Sequence, residues 1–187
     1  MKKIILASTS TQRKEILDTS GIEFVVEPSG YFEDMTLPLS PHALVKHLSQ
    51  GKAEAVAARH TNAIVIGADT IVVIDDKIFG KPYTSEKAKE MLMFLNGKQN
   101  TIVTGVTIID TDTNRKEFFI DETNVFFKNM PESAIDAYIQ SGEPLDKAGA
   151  YAIQGLGAEF IEKIEGDQLN AIGLPLDKVL EIVKKFG

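Results

Sequence analysis

The stretch from Ala63 to Ile74 reads AIVIGADTIVVI, and its single charged residue is Asp69. Apolar, β-branched segments, Ala63 to Gly67 and Thr70 to Ile74, flank Ala68-Asp69 on either side. Branched side chains pack well on a pleated surface, so both segments favour strands. A carboxylate is rarely placed among such residues without a partner. The pattern therefore predicts that Asp69 emerges at a strand end, where a carboxylate can hold a divalent cation or activate water. The plainer alternative is a turn between two strands, since Gly-Ala-Asp is also turn chemistry. The strong β-forming flanks favour the functional reading.

Around this segment, strands and helices alternate. Ile4 to Ala7 is a short buried strand, followed by Ser8 to Ser10 and a helix that ends near Gly21. Ile22 to Val26 is strand-like. Ser40-Pro41 signals a helix start, and Leu44, Val45, Leu48, Ala55 and Val56 recur at helical spacing behind it. A further helix opens at Thr84 or Ser85 and closes at Asn96-Gly97. Thr101 to Ile109 and Glu117 to Phe127 form a long antiparallel pair with a turn near Asp112 to Arg115. Pro131 to Ser141 and Asp177 to Phe186 are helices. Ala150 to Ile153 and Phe160 to Ile164 are strand candidates. Paired strands in the second half break a strict βαβ repeat, so a mixed sheet is expected.

The 187 residues, 43% hydrophobic, suit one α/β domain spanning 1–187, or two small lobes sharing a cleft. There is no cysteine, which excludes disulfides, thiolate metal sites and a cysteine nucleophile. That fits a reducing, cytoplasmic setting. No apolar run reaches the length of a membrane span, and the first ten residues turn polar too soon for a signal peptide. A net charge of -7 argues against binding a nucleic-acid polymer. It leaves open a small phosphorylated ligand, provided a few cations converge.

Several segments offer such chemistry. Ser8-Thr9-Ser10-Thr11-Gln12-Arg13-Lys14 joins a strand to a helix, where free backbone N–H groups and the dipole attract phosphate. Hydroxyls and Arg13 would add donors. Ordinary N-capping with a solvated Arg13 is the plainer alternative, and the loop lacks the glycines of a Walker A motif. Glu33 and Asp34 lie in a loop after a strand. Lys52, in a small, apolar helical stretch, and Lys81, in Gly80-Lys81-Pro82, are point charges suited to phosphate, though each alone reads as a surface lysine. Pro144 to Gly157 is glycine-rich. Its Gln154 amide could pair with a base edge, having both donor and acceptor. His42, His47 and His60 form no metal pattern and read as surface residues.

Taken together, these segments resemble the Maf family of nucleotide pyrophosphatases. The resemblance spans essentially the whole chain. It rests on Leu6-Ala7-Ser8-x-Ser10-x-x-Arg13, Gly67-Ala68-Asp69-Thr70, Gly80-Lys81-Pro82, Asp146 to Tyr151, Gln154-Gly155 and Gly173-Leu174-Pro175. It implies a mixed α/β fold with an elongated, twisted sheet flanked by helices and a central cleft, similar to inosine-triphosphate pyrophosphatases. It implies hydrolysis of a nucleoside triphosphate to monophosphate and diphosphate with Mg²⁺ or Mn²⁺, and a possible homodimer. Asp69 would be general base or metal ligand, with Glu33 assisting the metal. Ser8, Ser10, Arg13, Lys52 and Lys81 would hold phosphates, and the lysines and Arg13 would offset developing charge. Thr70 and Gln154 resemble the branch acting on dTTP and UTP rather than the 7-methyl-GTP branch. One departure stands out: Gln12 replaces an arginine of the usual Ser-Pro-Arg-Arg loop, at a position linked to substrate choice. The competing expectations are a nucleotide-binding regulator of septum formation and cell division with little turnover, and a pyrophosphatase preferring CTP, inosine or xanthosine triphosphate, or 7-methyl-GTP.

Overall fold

Short apolar runs become strands and capped amphipathic runs become helices in the computed structural model, which describes residues 2–186. The elements are β1 (Lys3–Leu6), α1 (Thr11–Asp18), β2 (Phe24–Val26), α2 (Pro41–Ala57), β3 (Ala63–Ile74), β4 (Lys77–Phe79), α3 (Ser85–Leu95), β5 (Gln99–Asp110), β6 (Lys116–Phe127), α4 (Glu132–Gln140), β7 (Ile161–Glu165), α5 (Gln168–Ile172) and α6 (Leu176–Phe186). Three short 3₁₀ turns lie between α4 and β7. The strands form one mixed sheet of order β2-β1-β3-β5-β6-β7, with β4 paired to β3. β1 runs parallel to both β2 and β3, while β4 and β7 are antiparallel to their neighbours. None of the described helices is long and apolar enough to cross a membrane.

The chain divides into two compact units. The first comprises residues up to 69, 104–121 and from 173 onward; the second comprises 70–103 and 122–172. In the first, Ile5, Ala7, Ala53, Val56, Ala63, Val65 and Ile109 form a buried cluster. In the second, the inward faces of α3 and α4 pack around Val72, Ile102, Val125 and Phe127. Each fully buried aliphatic or aromatic side chain of this kind contributes roughly 1.5–3 kcal/mol.

Helix α2 is the element that shapes the first unit. Ser40 caps it, accepting from the backbone N–H of Ala43, and Pro41 starts it with a pre-set φ. Its inward face carries Leu44, Val45, Leu48, Ser49, Lys52, Ala53 and Val56. The helix lies directly on the sheet because two facing positions are glycine. A Cβ on Gly67 of β3 would sit 2.5 Å from the Ser49 carbonyl oxygen, and one on Gly105 of β5 would sit 2.8 Å from that of Val45.

Two expectations need correction. Asp69 lies neither at a strand end nor in a turn: β3 runs unbroken from Ala63 to Ile74 with Asp69 in its interior. The backbone stays in the ladder, and only the side chain needs a partner. Ala150 to Ile153 is not a strand. Gly149 (φ 67°) and Ala150 (φ 63°) are both left-handed, which ends any extended ladder there. The expected Phe160–Ile164 strand is present as β7, one residue later.

Candidate active site

β1 leaves the sheet with Leu6 opposite Ile66, and the Ala7 N–H donates to the Ile66 carbonyl at 2.8 Å. The following Ser8 is buried, and its hydroxyl accepts from the Ser10 N–H at 3.1 Å. Ser10 caps α1, accepting from the Arg13 N–H at 3.3 Å, and its hydroxyl donates to Gln12 Oε1 at 3.3 Å. The plainer reading, N-capping, therefore holds for Ser10. It does not hold for Arg13, which is half-buried rather than solvated. Arg13 Nε donates to the Gly173 carbonyl at 2.9 Å, which ties the helix start to the Gly-Leu-Pro segment. Burial lowers the Arg13 guanidinium from its ordinary pKa, opposed by the charges of Asp69 and Glu33. An arginine stays charged under such pressure.

Close packing at Gly67 brings the α2 face against the interior of β3. Lys52, the one charged residue on that face, is 6% exposed and Asp69 is 5% exposed. Lys52 Nζ donates to Asp69 Oδ1 at 2.5 Å and to the Ala68 carbonyl at 3.5 Å. Its reading as a surface lysine is thus overturned, because the buried carboxylate needs a cation. The same ammonium lies 3.0 Å from Glu33 Oε1, on the exposed loop between β2 and α2. Burial pushes the Asp69 carboxyl above the usual range, while Lys52 and Arg13 pull it back and Glu33 adds to the rise. The first unit therefore collects two carboxylates and two cations, with the Ser8–Gln12 hydroxyl and amide groups at the start of α1.

Thr70, Lys81 and Gln154 belong to the second unit. Lys81 is exposed in a segment held by two backbone bonds, Gly149 N–H to the Gly80 carbonyl (3.0 Å) and Tyr83 N–H to the Leu145 carbonyl (3.1 Å). Gln154 is exposed at the start of a 3₁₀ turn. The Glu143 carboxylate holds that turn, accepting from the N–H groups of Leu156 (3.2 Å) and Gly157 (2.9 Å). Sequence reading missed Glu143, and its position carried no local signal. Tyr151 is core: its buried hydroxyl donates to Asn100 at 2.7 Å. His42 and His47 are exposed as expected. His60 is half-buried, with Nε2 2.7 Å from Glu27 Oε2.

The family model for Maf-like proteins matches residues 3–186. The chain belongs to the Maf family. Curated relatives align along its full length. One from Bacillus pumilus is 44% identical over 187 residues, covering 100% of this chain and 98% of its own length. Another, from Methanosarcina mazei, is 46% identical over 188 residues, covering 100% and 95%. Both are named dTTP/UTP pyrophosphatase. Among solved structures, the Staphylococcus aureus Ham1 protein matches with a TM-score of 0.56 at 15% identity, covering 100% of both chains. A HAM1 protein from Coxiella burnetii matches with a TM-score of 0.56 at 11% identity, covering 99% of this chain and 100% of that one. At such identities these likenesses show the fold, which is the mixed α/β fold that the Maf resemblance implied.

Proposed function

We propose that this Maf-family chain hydrolyses dTTP and UTP to the monophosphate and diphosphate, removing such nucleotides from the cytoplasmic pool. The observation that carries the reading is the buried Lys52–Asp69 pair with Glu33 on the same ammonium. The names of the full-length relatives point the same way.

The donor set suits a divalent cation of the Mg²⁺ type. Glu33 and Asp69 each place an oxygen within ion-pair distance of one ammonium, so a small cation could draw on both. No group of three or more His, Cys, Asp or Glu side chains that could hold a metal ion occurs among the described residues. The remaining ligands would be water and phosphate oxygens, which is how Mg²⁺ commonly binds. Such a cation would neutralise phosphate charge and polarise the attacked phosphorus.

Asp69 takes the proton of a water. The water oxygen bonds to one of the two phosphorus atoms flanking the α–β bridge, that atom's bond to the bridging oxygen breaks, and the monophosphate and diphosphate separate. A carboxylate raised above its usual pKa accepts that proton more readily at neutral pH. Arg13 and Lys52 offset the charge that develops on phosphate oxygens. Ser8, Ser10 and Gln12 orient the phosphates.

The test is diphosphate release with Mg²⁺ or Mn²⁺ across dTTP, UTP, CTP, the purine triphosphates and 7-methyl-GTP. Preferred turnover of dTTP and UTP is expected. Preference for another base would make Gln12 the residue to examine, and no turnover of any nucleotide would replace hydrolysis with a binding role. Asp69→Asn should lower kcat about 10²–10⁴-fold. Near-normal turnover in that variant would remove Asp69 as the base.

A further inference from the structure

Gly51 sits in the middle of α2, where glycine is an unfavourable choice relative to alanine. The reason lies on the helix surface. A Cβ at Gly51 would overlap three atoms of the Tyr31 ring. The ring therefore rests on bare helix backbone, in the gap that the missing side chain leaves. One turn earlier on the same helix face, His47 Nε2 lies 2.9 Å from the Tyr31 hydroxyl, and the two rings meet edge-on at 6.2 Å. Tyr31 is thus gripped at both its ring and its hydroxyl by one flank of α2.

This contact falls within a loop that is fastened at its start to the turn just after α2 and at its end to the start of α2 itself. At the start, Glu27 pairs with Arg59 (3.1 Å) and His60 (2.7 Å), and Arg59 also donates to the Pro28 carbonyl at 3.0 Å. At the other end, Ser40 is the N-cap of α2. Between these anchors Phe32 is 82% exposed and Glu33 is half exposed, so neither is positioned by burial. Tyr31 is the anchor nearest Glu33, two residues before it. Lys52, the partner of Glu33, is the residue after Gly51.

We propose that Tyr31, seated on Gly51 and His47, is a positioning residue that holds Glu33 at the cation seat beside Asp69. The inference rests on the role assigned above to Glu33. Without the seat, the loop would keep its two end anchors, but the carboxylate would sample positions away from Lys52 and Asp69. Groups that fix a metal ligand typically govern 10–100-fold in metal affinity.

The experiment measures Mn²⁺ affinity by calorimetry in the presence of non-hydrolysable α,β-imido-UTP, with thermal stability recorded alongside. The variants are Tyr31→Ala, Gly51→Ala, Glu33→Gln and the Tyr31→Ala/Glu33→Gln pair. Gly51→Ala is the discriminating one. It improves helix propensity, so Tm should hold or rise, while its methyl group expels the flexible Tyr31 ring. Tyr31→Ala and Gly51→Ala are each expected to weaken Mn²⁺ about tenfold. The double variant should bind no more weakly than Glu33→Gln alone, because Tyr31 acts through Glu33. Wild-type Mn²⁺ affinity in Tyr31→Ala and Gly51→Ala, or a loss that adds to that of Glu33→Gln, would overturn the proposal. Wild-type affinity in Glu33→Gln itself would instead remove the Glu33 assignment, and this inference with it.

Discussion

At the scale of single residues, the site is a problem of buried charge. Lys52 and Asp69 are both nearly inaccessible, and each would be costly to bury alone. Their mutual contact offsets desolvation, but such pairs rarely add net stability, which accords with the functional role proposed above. This gives a test that separates folding from chemistry. Lys52→Met leaves Asp69 buried without its nearest cation, and should lower unfolding free energy by about 3–5 kcal/mol. Replacing both partners, as Lys52→Met/Asp69→Leu, should recover most of that loss while leaving no turnover. Urea unfolding midpoints read the first quantity and diphosphate release the second. If the double variant stayed as unstable as the single one, the pair would be holding the fold rather than serving a reaction. The sequence showed half of this arrangement. Asp69 stood out against its apolar flanks, whereas Lys52 taken alone looked like a surface lysine, although it falls four residues from both Leu48 and Val56 on the apolar stripe of α2.

At the scale of elements, glycines decide where α2 lies. Gly67 and Gly105 face it from two strands, and side chains at either position would push the helix outward. Gly67→Ala places a methyl carbon 2.7 Å from the Ala53 backbone nitrogen, and backbone cannot step aside as a flexible side chain does. The expected cost is about 1–3 kcal/mol of stability from overpacking. Turnover should fall further than stability explains, because Lys52 and Asp69 would lose their register. The check is kcat for Gly67→Ala at a temperature where unfolding curves show it fully folded; unchanged turnover there would refute the link between this packing and the site. Most elements were legible from periodicity and caps: Ser40-Pro41 marked α2, and Asn96-Gly97 marked the end of α3. The failures have a common physical cause. Ala150 to Ile153 looks extended by composition, yet two left-handed residues there turn the chain, and contacts such as Gly149 N–H to Gly80 fix that turn from a distance in sequence. The Tyr31 seat was equally hidden, although a mid-helix glycine, read as a question about what lies on it, would have pointed there.

At the scale of the whole molecule, an acidic chain must respond to acid, and one buried carboxylate dominates what the structure shows. Asp110 closes the β5–β6 hairpin: it accepts from Thr113 Oγ1 at 2.8 Å and from the Asp112 N–H at 3.1 Å. It also pairs with Lys2 at 2.5 Å, which fastens the residue preceding β1 to the end of β5. These donors, led by Lys2, pull its carboxyl down from 3.8 to about 2. A folded-state pKa below the unfolded value means that the unfolded chain binds the proton more readily. The stabilisation is therefore complete above pH 4 and disappears as pH falls through about 2. Its size, reduced for the solvent that reaches Lys2, is about 1–2 kcal/mol. Asp110→Asn should accordingly be less stable than wild type by that amount at neutral pH, and the gap should narrow as pH falls from 4 towards 2. Urea unfolding at a series of pH values measures it. A gap that held constant down to pH 2 would show that Asp110 acts through packing alone. A gap that widened in acid would mean that the carboxyl is held in its protonated form, contrary to the three donors that face it.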